Sequence, residues 1–200
     1  MASEIDISNL ALSHVGGRPI ESFSEGTKEA IECRRFYETD RNAVLEDHNW
    51  NFGRKSVELA LLSETFPGWD YAYAWPTDCL APRLIYNPVG LPGQQGVVEI
   101  QYEVRSNSAL TQRLILTDQE DAVLIYTAKV TTPNLYDNQF IQALALRLGA
   151  DLAQTIRADS QLKLNLLTEY GGIIARAKVK QSNEGYIPDD NEGSFVEARA

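Results

Sequence analysis

The chain has 200 residues, with 18 Lys+Arg against 28 Asp+Glu and a formal net charge of −10. That balance argues against a protein that wraps duplex nucleic acid through its phosphates, because such affinity needs a basic footprint. With 44% hydrophobic residues the chain is no disordered acidic polymer and has ample material for the core of one domain, or of one domain with an insertion.

Ser3 followed by Asp6 reads as a capping pair that opens a helix from about Ser3 to His14, ended by Gly16-Gly17 and Pro19. A second helix begins near Gly26-Thr27, with Ala30, Cys33, Tyr37 and Val44 on one stripe. Its other face carries Lys28, Glu32, Arg34, Glu38 and Arg41 as opposite-charge neighbours. After His48 the texture changes, and all three tryptophans and five of the eight prolines fall within the next stretch, which marks a different kind of structure. Alternation through Val98, Ile100, Tyr102 and Val104, and again in Leu114 and Leu116, predicts strands with one buried face. Thr117 to Asp121 reads as a polar turn into Ala122 to Lys129, a hairpin partner.

From Thr132-Pro133 the helical period returns, with Thr132 as N-cap and Pro133 at the first helical position. Phe140, Leu144, Leu148 and Leu152 recur at four-residue spacing, and Asp159 caps a further helix bearing Leu162, Leu166, Tyr170 and Ile173. The last twenty residues have no sustained period and carry five acids against Arg199 alone. The fold expected is therefore α+β. A helical bundle is built from the N-terminal (1–49) and C-terminal (131–180) segments, with a β-rich middle insertion (50–130) and an acidic, extended C-terminal tail (181–200).

Little in the chain suggests catalysis. His14 and His48 read as helix-end polar groups, and no motif surrounds any Ser or Cys that would make it a nucleophile. Cys33 and Cys79 allow at most one disulfide and read as reduced, structural thiols. Asp118, Glu120 and Asp121 lack the glycine and the distant Glu of a calcium loop, so a solvated turn is expected. Gly90, Gly93 and Gly96 have no Lys-Ser/Thr after them and read as a loop tip rather than a phosphate cradle. The basic trio Arg176, Lys178 and Lys180 suits a helix C-terminus. No catalytic residue, cofactor or metal is assigned. Apolar runs such as Leu59 to Leu62 are too short to cross a bilayer, and the opening MASEIDIS lacks the order of a signal peptide. A soluble protein without membrane binding is expected.

Two features stand above this background: the aromatic and proline density of the middle region, and the tail with its apolar anchors Tyr186, Ile187, Pro188 and Phe195. Aromatics are enriched at protein interfaces, and such a tail suits docking with ordering on contact.

The order of segments is also informative. Asn9-Leu10-Ala11-Leu12 and Val15-Gly16 are followed by His48-Asn49-Trp50-Asn51-Phe52, then by Trp75-Pro76-Thr77-Asp78-Cys79-Leu80. Ile125-Tyr126-Thr127, Thr132-Pro133 and the run Phe140 to Ala153 come next. From about residue 3 to about residue 180 the chain resembles the tail tubular protein A family, the head-to-tail adaptors of short-tailed, podovirus-type phages. The resemblance implies a dodecameric ring in the virion tail, assembled in the host cytoplasm and mounted between the portal protein and a nozzle of the tubular protein B type. DNA would pass through its lumen without specific binding. The bundle would form the ring body, the β-region would face the nozzle through Trp69, Tyr71, Tyr73, Leu91 and Pro92, and the tail would reach the portal through Tyr186, Ile187, Pro188 and Phe195. Two other readings are carried. One is an adaptor that also cleaves peptidoglycan during entry with acids of the β-region; the other is a cellular acidic adaptor unrelated to phage.

Overall fold

The computed structural model describes residues 2–86 and 100–184. In chain order it contains α1 (Glu4–His14), α2 (Lys28–Asp47), the strands β1 (Arg54–Glu58), β2 (Tyr71–Ala74), β3 (Cys79–Tyr86), β4 (Glu103–Ser106), β5 (Arg113–Thr117) and β6 (Val123–Ala128), then α3 (Asn138–Leu152) and α4 (Ser160–Glu184). The fold is mixed α+β, with four α-helices and two three-stranded sheets among the described residues.

The helix starts follow from local chemistry. At α1 the Ser3 hydroxyl accepts from the Asp6 N–H at 3.1 Å while the Asp6 carboxylate accepts from the Ser3 N–H at 2.8 Å, so two otherwise orphaned donors are satisfied reciprocally. Thr27 accepts from the Ala30 N–H to open α2, and Asp159 accepts from the Leu162 N–H at 2.9 Å to open α4. Thr132-Pro133 opens only a 3-10 turn, Pro133–Leu135, without a side-chain cap. The helix proper starts five residues later than that pair suggests, because Asp137 supplies the carboxylate that accepts from the Phe140 N–H at 2.7 Å. Between α3 and α4 the backbone widens into a π-helical turn, Ala153–Arg157, and reverses at Ala158, whose φ is 53°. Helix α4 continues through residues 181–184, which the sequence assigns to the extended tail.

The four helices share one cluster of buried side chains. It includes Ile7, Ala11 and Leu12 of α1, Ala30, Cys33, Tyr37 and Val44 of α2, Phe140, Leu144, Leu148 and Leu152 of α3, and Leu166, Tyr170 and Ile173 of α4. Fully burying each Leu or Phe stabilises by about 1.5–3 kcal/mol. The charged face of α2 is partly buried: Glu32 and Arg41 are buried, Arg41 against Glu38 and Asn42, and Glu32 against Arg35. Trp50 seals the end of this cluster, its indole N–H donating to the Val44 carbonyl at 2.8 Å and its ring edge-on to Phe140 at 5.2 Å.

The strands form two antiparallel sheets, ordered β1-β6-β3 and β2-β5-β4. The expected hairpin between the Leu114–Leu116 strand and Ala122–Lys129 does not form. β5 and β6 lie in different sheets, and the acidic segment between them is a crossing rather than a tight turn. The crossing is held by Asp121 at φ 51° and by Asp118, whose carboxylate accepts from the Asp70 N–H at 3.0 Å. Of the alternating run proposed to start at Val98, Ile100 makes a single bridge to Ile85 and the strand itself begins at Glu103; Val98 lies outside the described residues. Two smaller buried clusters serve the sheets, one around Tyr73, Ile85, Ile115, Leu124 and Tyr126, the other around Ala72, Leu114 and Leu116.

Candidate functional site

The sequence places an interface on the aromatic residues of the middle region. Trp69 is half-buried, and its indole N–H donates to a Glu103 carboxylate oxygen at 2.9 Å; the other oxygen accepts from Arg105 Nε at 2.7 Å. Those two donors, Arg105 first, hold the Glu103 carboxyl below its ordinary range. Trp69, Ile100, Gln101, Tyr102 and Glu103 line an open recess of about 600 Å³ on the β2-β5-β4 side. Tyr71 is also half-buried, with its ring 6.2 Å from that of Tyr73. The negative charge of Glu120 pushes the Tyr71 hydroxyl upward from its ordinary range.

Tyr73 is placed differently. It is 2% exposed, and its hydroxyl donates to the Gln119 carbonyl at 2.8 Å, which pins the crossing segment to β2. Its role is therefore inside the fold, and burial raises its hydroxyl. Leu91 and Pro92, and the tail residues Tyr186, Ile187, Pro188 and Phe195, lie outside the described residues.

A junction that the sequence reading missed joins the sheets to the helices. Arg83, partly buried on β3, donates from Nε to the Thr127 hydroxyl at 2.8 Å. Its second nitrogen reaches the carbonyls of Glu46 at 2.8 Å, His48 at 3.2 Å and Leu45 at 3.3 Å. The Leu45 and Glu46 carbonyls are among those that the end of α2 leaves without intrahelical partners, and the carbonyl of His48, the C-cap, also accepts from the Trp50 N–H at 3.1 Å. Nearby, Asp78 accepts from Lys55 at 2.7 Å and from the Tyr126 hydroxyl at 2.8 Å, tying all three strands of the β1-β6-β3 sheet together, and Lys55 first among these partners lowers the Asp78 carboxyl. The Trp75 indole donates to the Cys79 carbonyl at 3.0 Å, and the Arg113 guanidinium lies 3.7 Å over the Trp75 ring. A lone arginine between Pro82 and Leu84 carries no spacing signal, so only the fold reveals this one.

The remaining chemistry-bearing groups sit in structural settings. Burial pushes the Cys33 and Cys79 thiols up to about 12, so both stay protonated at neutral pH. His14 ends α1 and His48 caps α2, where its ring meets Trp50 edge-on at 4.7 Å. Among the described residues no group of three or more His, Cys, Asp or Glu side chains is arranged to hold a metal ion, and no helix is long and apolar enough to cross a membrane. No family model and no curated protein matches the chain.

Proposed function

We propose that the chain is a structural protein of a short-tailed virion, the head-to-tail adaptor that sits as a ring between the portal and the tail nozzle and lets the genome pass. The observation that carries this reading is that three of the segments on which the family resemblance rests meet in space. The N-terminal motif packs onto the long run of α3: a Cβ on Gly149 would stand 3.4 Å from the Ala11 carbonyl oxygen and 3.6 Å from His14. The Trp50-Asn51-Phe52 motif closes the same cluster, with Phe52 5.0 Å from Phe140. Asn9 clamps the connection after α1 through two bonds to the Ile20 backbone, at 2.9 and 2.8 Å. In this reading the helices form a bundle that is the ring body, and the sheet region, anchored through Arg83, presents Trp69 and Tyr71 to the nozzle.

The acidic charge suits a conduit. Cationic walls would hold duplex phosphates at many sites and slow ejection, whereas an acidic wall does not. The residues beyond Glu184, with Tyr186, Ile187, Pro188 and Phe195, are the portal contact in this reading. The test is to mix the purified chain with the portal protein encoded in the same genome and image the particles. A ring stacked coaxially on the portal supports the proposal; portals that stay bare at saturating concentrations reject it.

A further inference from the structure

Asp40 of α2 is a carboxylic side chain placed where a carboxylate is hard to keep. It is 2% exposed, and its Oδ2 has no hydrogen-bond partner. From α3, Arg147 Nε stands 3.7 Å from Oδ1, beyond a good hydrogen bond, and the Asp151 carboxylate faces Asp40 within hydrogen-bonding reach. From α4, Lys163 binds the Asp151 carboxylate at 2.7 Å, and Tyr170, 5.8 Å beneath the Arg147 guanidinium, donates its hydroxyl to Asp47 at 2.6 Å. The other charged groups near α2 are engaged elsewhere. Arg41 binds Glu38 and Asn42, Lys129 binds Glu38, and Arg83 binds the carbonyls at the helix end. Arg157, in the turn before α4, lies against Gly16.

Two carboxylates cannot hydrogen-bond to each other, because both only accept. One proton resolves the conflict: it removes a buried charge, turns the orphaned oxygen into a donor and leaves Asp151 charged against Lys163. We propose that Asp40 is a protonated acid in the folded chain, donating to the Asp151 carboxylate, and that this proton clasps α2, α3 and α4 together and makes their packing sensitive to pH near neutrality. Burial, then the charge of Asp151, raises the Asp40 carboxyl from its ordinary 3.8 to about 7, which agrees with the geometry. The folded chain thus holds a proton that the unfolded chain releases above about pH 4. The contribution is fully present below that pH and is lost as pH rises through 7. The clasp is independent of the adaptor reading.

The test is carboxyl-carbon NMR of the full chain labelled at aspartate, from pH 4 to 9, together with melting temperatures over pH 5 to 8. One carboxyl signal, absent from Asp40→Asn, should titrate near neutrality. In Asp151→Asn its midpoint should fall by at least one pH unit, since the neighbouring charge is gone and the new amide donates to Asp40. The wild-type melting temperature should decline from pH 5 to 8, while Asp40→Asn, whose amide reproduces the donor, should show a flatter profile. An Asp40 signal that has finished titrating below pH 5 in the wild-type chain overturns the proposal, whatever the variants do.

Discussion

Arg83 on β3 donates to the main-chain carbonyl of Glu46 in the last turn of α2 at 2.8 Å, so a strand supplies the cation that the helix end lacks. Helix α2 has no basic residue of its own there, and its orphan carbonyls and macrodipole favour positive charge at that point. Hydrogen bonds from a charged donor contribute about 1.5–3 kcal/mol each when measured singly, and the four made here are not additive. Arg83→Ala is expected to lower unfolding stability by about 2–4 kcal/mol in urea titrations. Arg83→Lys should restore less than half of that, because a point ammonium cannot span Thr127 and three carbonyls as the planar fork does. An unchanged midpoint for Arg83→Ala would show that the sheets are anchored elsewhere.

How much of this was legible in the sequence depended on range. Ser3 with Asp6, Thr27 with Ala30 and Asp159 with Leu162 are contacts three residues apart, and spacing alone reveals them. The four-residue rhythm of Phe140 to Leu152 likewise marks the buried face of α3, where all four residues are fully buried. Strand partners were not legible. The inner positions of β5 and β6 are buried on both faces, so their patterns fit either sheet, and the crossing between them is set by Asp118 and Gln119 reaching residues nearly fifty positions away. Aromatic content was ambiguous for the same reason. Tyr71 and Tyr73 share one strand face, but only the fold shows that one reaches the surface while the other holds the crossing. Arg83 and the Asp40–Asp151 pair depend on elements that come together from distant parts of the chain, and no local pattern marks them.

The Asn9 side chain both donates to and accepts from the Ile20 backbone, at 2.9 and 2.8 Å, linking α1 to the connection after it across a separation of eleven positions. Asn9→Ala removes both bonds and leaves the Ile20 N–H and carbonyl in need of water, a loss of about 1–3 kcal/mol. Asn9→Asp keeps the acceptor but sets a carboxylate against the Ile20 carbonyl. It should therefore melt no higher than the alanine variant, as thermal denaturation would show.

Tyr37 offers the opposite case. Its hydroxyl is buried within the helical cluster without a partner, and burial pushes its ionisation well above the ordinary tyrosine range. Tyr37→Phe keeps the ring, 5.6 Å from Phe23, and deletes only the unsatisfied group. A gain of about 1 kcal/mol, or about 2–4 °C in melting temperature, is expected. A clear loss would mean that the hydroxyl has a bound water as its partner.

Gly149 lies in the interior of α3 where α1 crosses it. A methyl group there meets Ala11, Leu166 and His14 at 3.4–3.6 Å, which is ordinary van der Waals contact. Gly149→Ala should therefore stabilise the chain by roughly 0.5–1 kcal/mol through helix propensity. Gly149→Val has no room for its second branch against the Ala11 carbonyl and should cost about 1–3 kcal/mol by forcing α1 away from α3. The reversal of sign between two such similar substitutions, read from paired urea titrations, measures how closely the two helices approach.

Trp69, just before β2, and Tyr73, within it, allow the proposed docking role to be tested apart from folding. The Trp69 ring lines the open recess and is held by Glu103, whereas the Tyr73 hydroxyl is spent on the Gln119 carbonyl. If the recess receives the nozzle, Trp69→Ala should weaken nozzle binding by about 30-fold or more, the loss typical of a central aromatic anchor, in addition to the stability lost with a ring that packs against Ala72, Leu114 and Leu116. Tyr73→Phe should lower stability by about 1 kcal/mol through the lost hydrogen bond and leave nozzle affinity unchanged. Binding isotherms and melting curves on the same two variants decide between the roles. Equal affinity for wild-type and Trp69→Ala would remove the recess from the proposed interface, because an anchor that can be truncated without effect is not in contact with a partner.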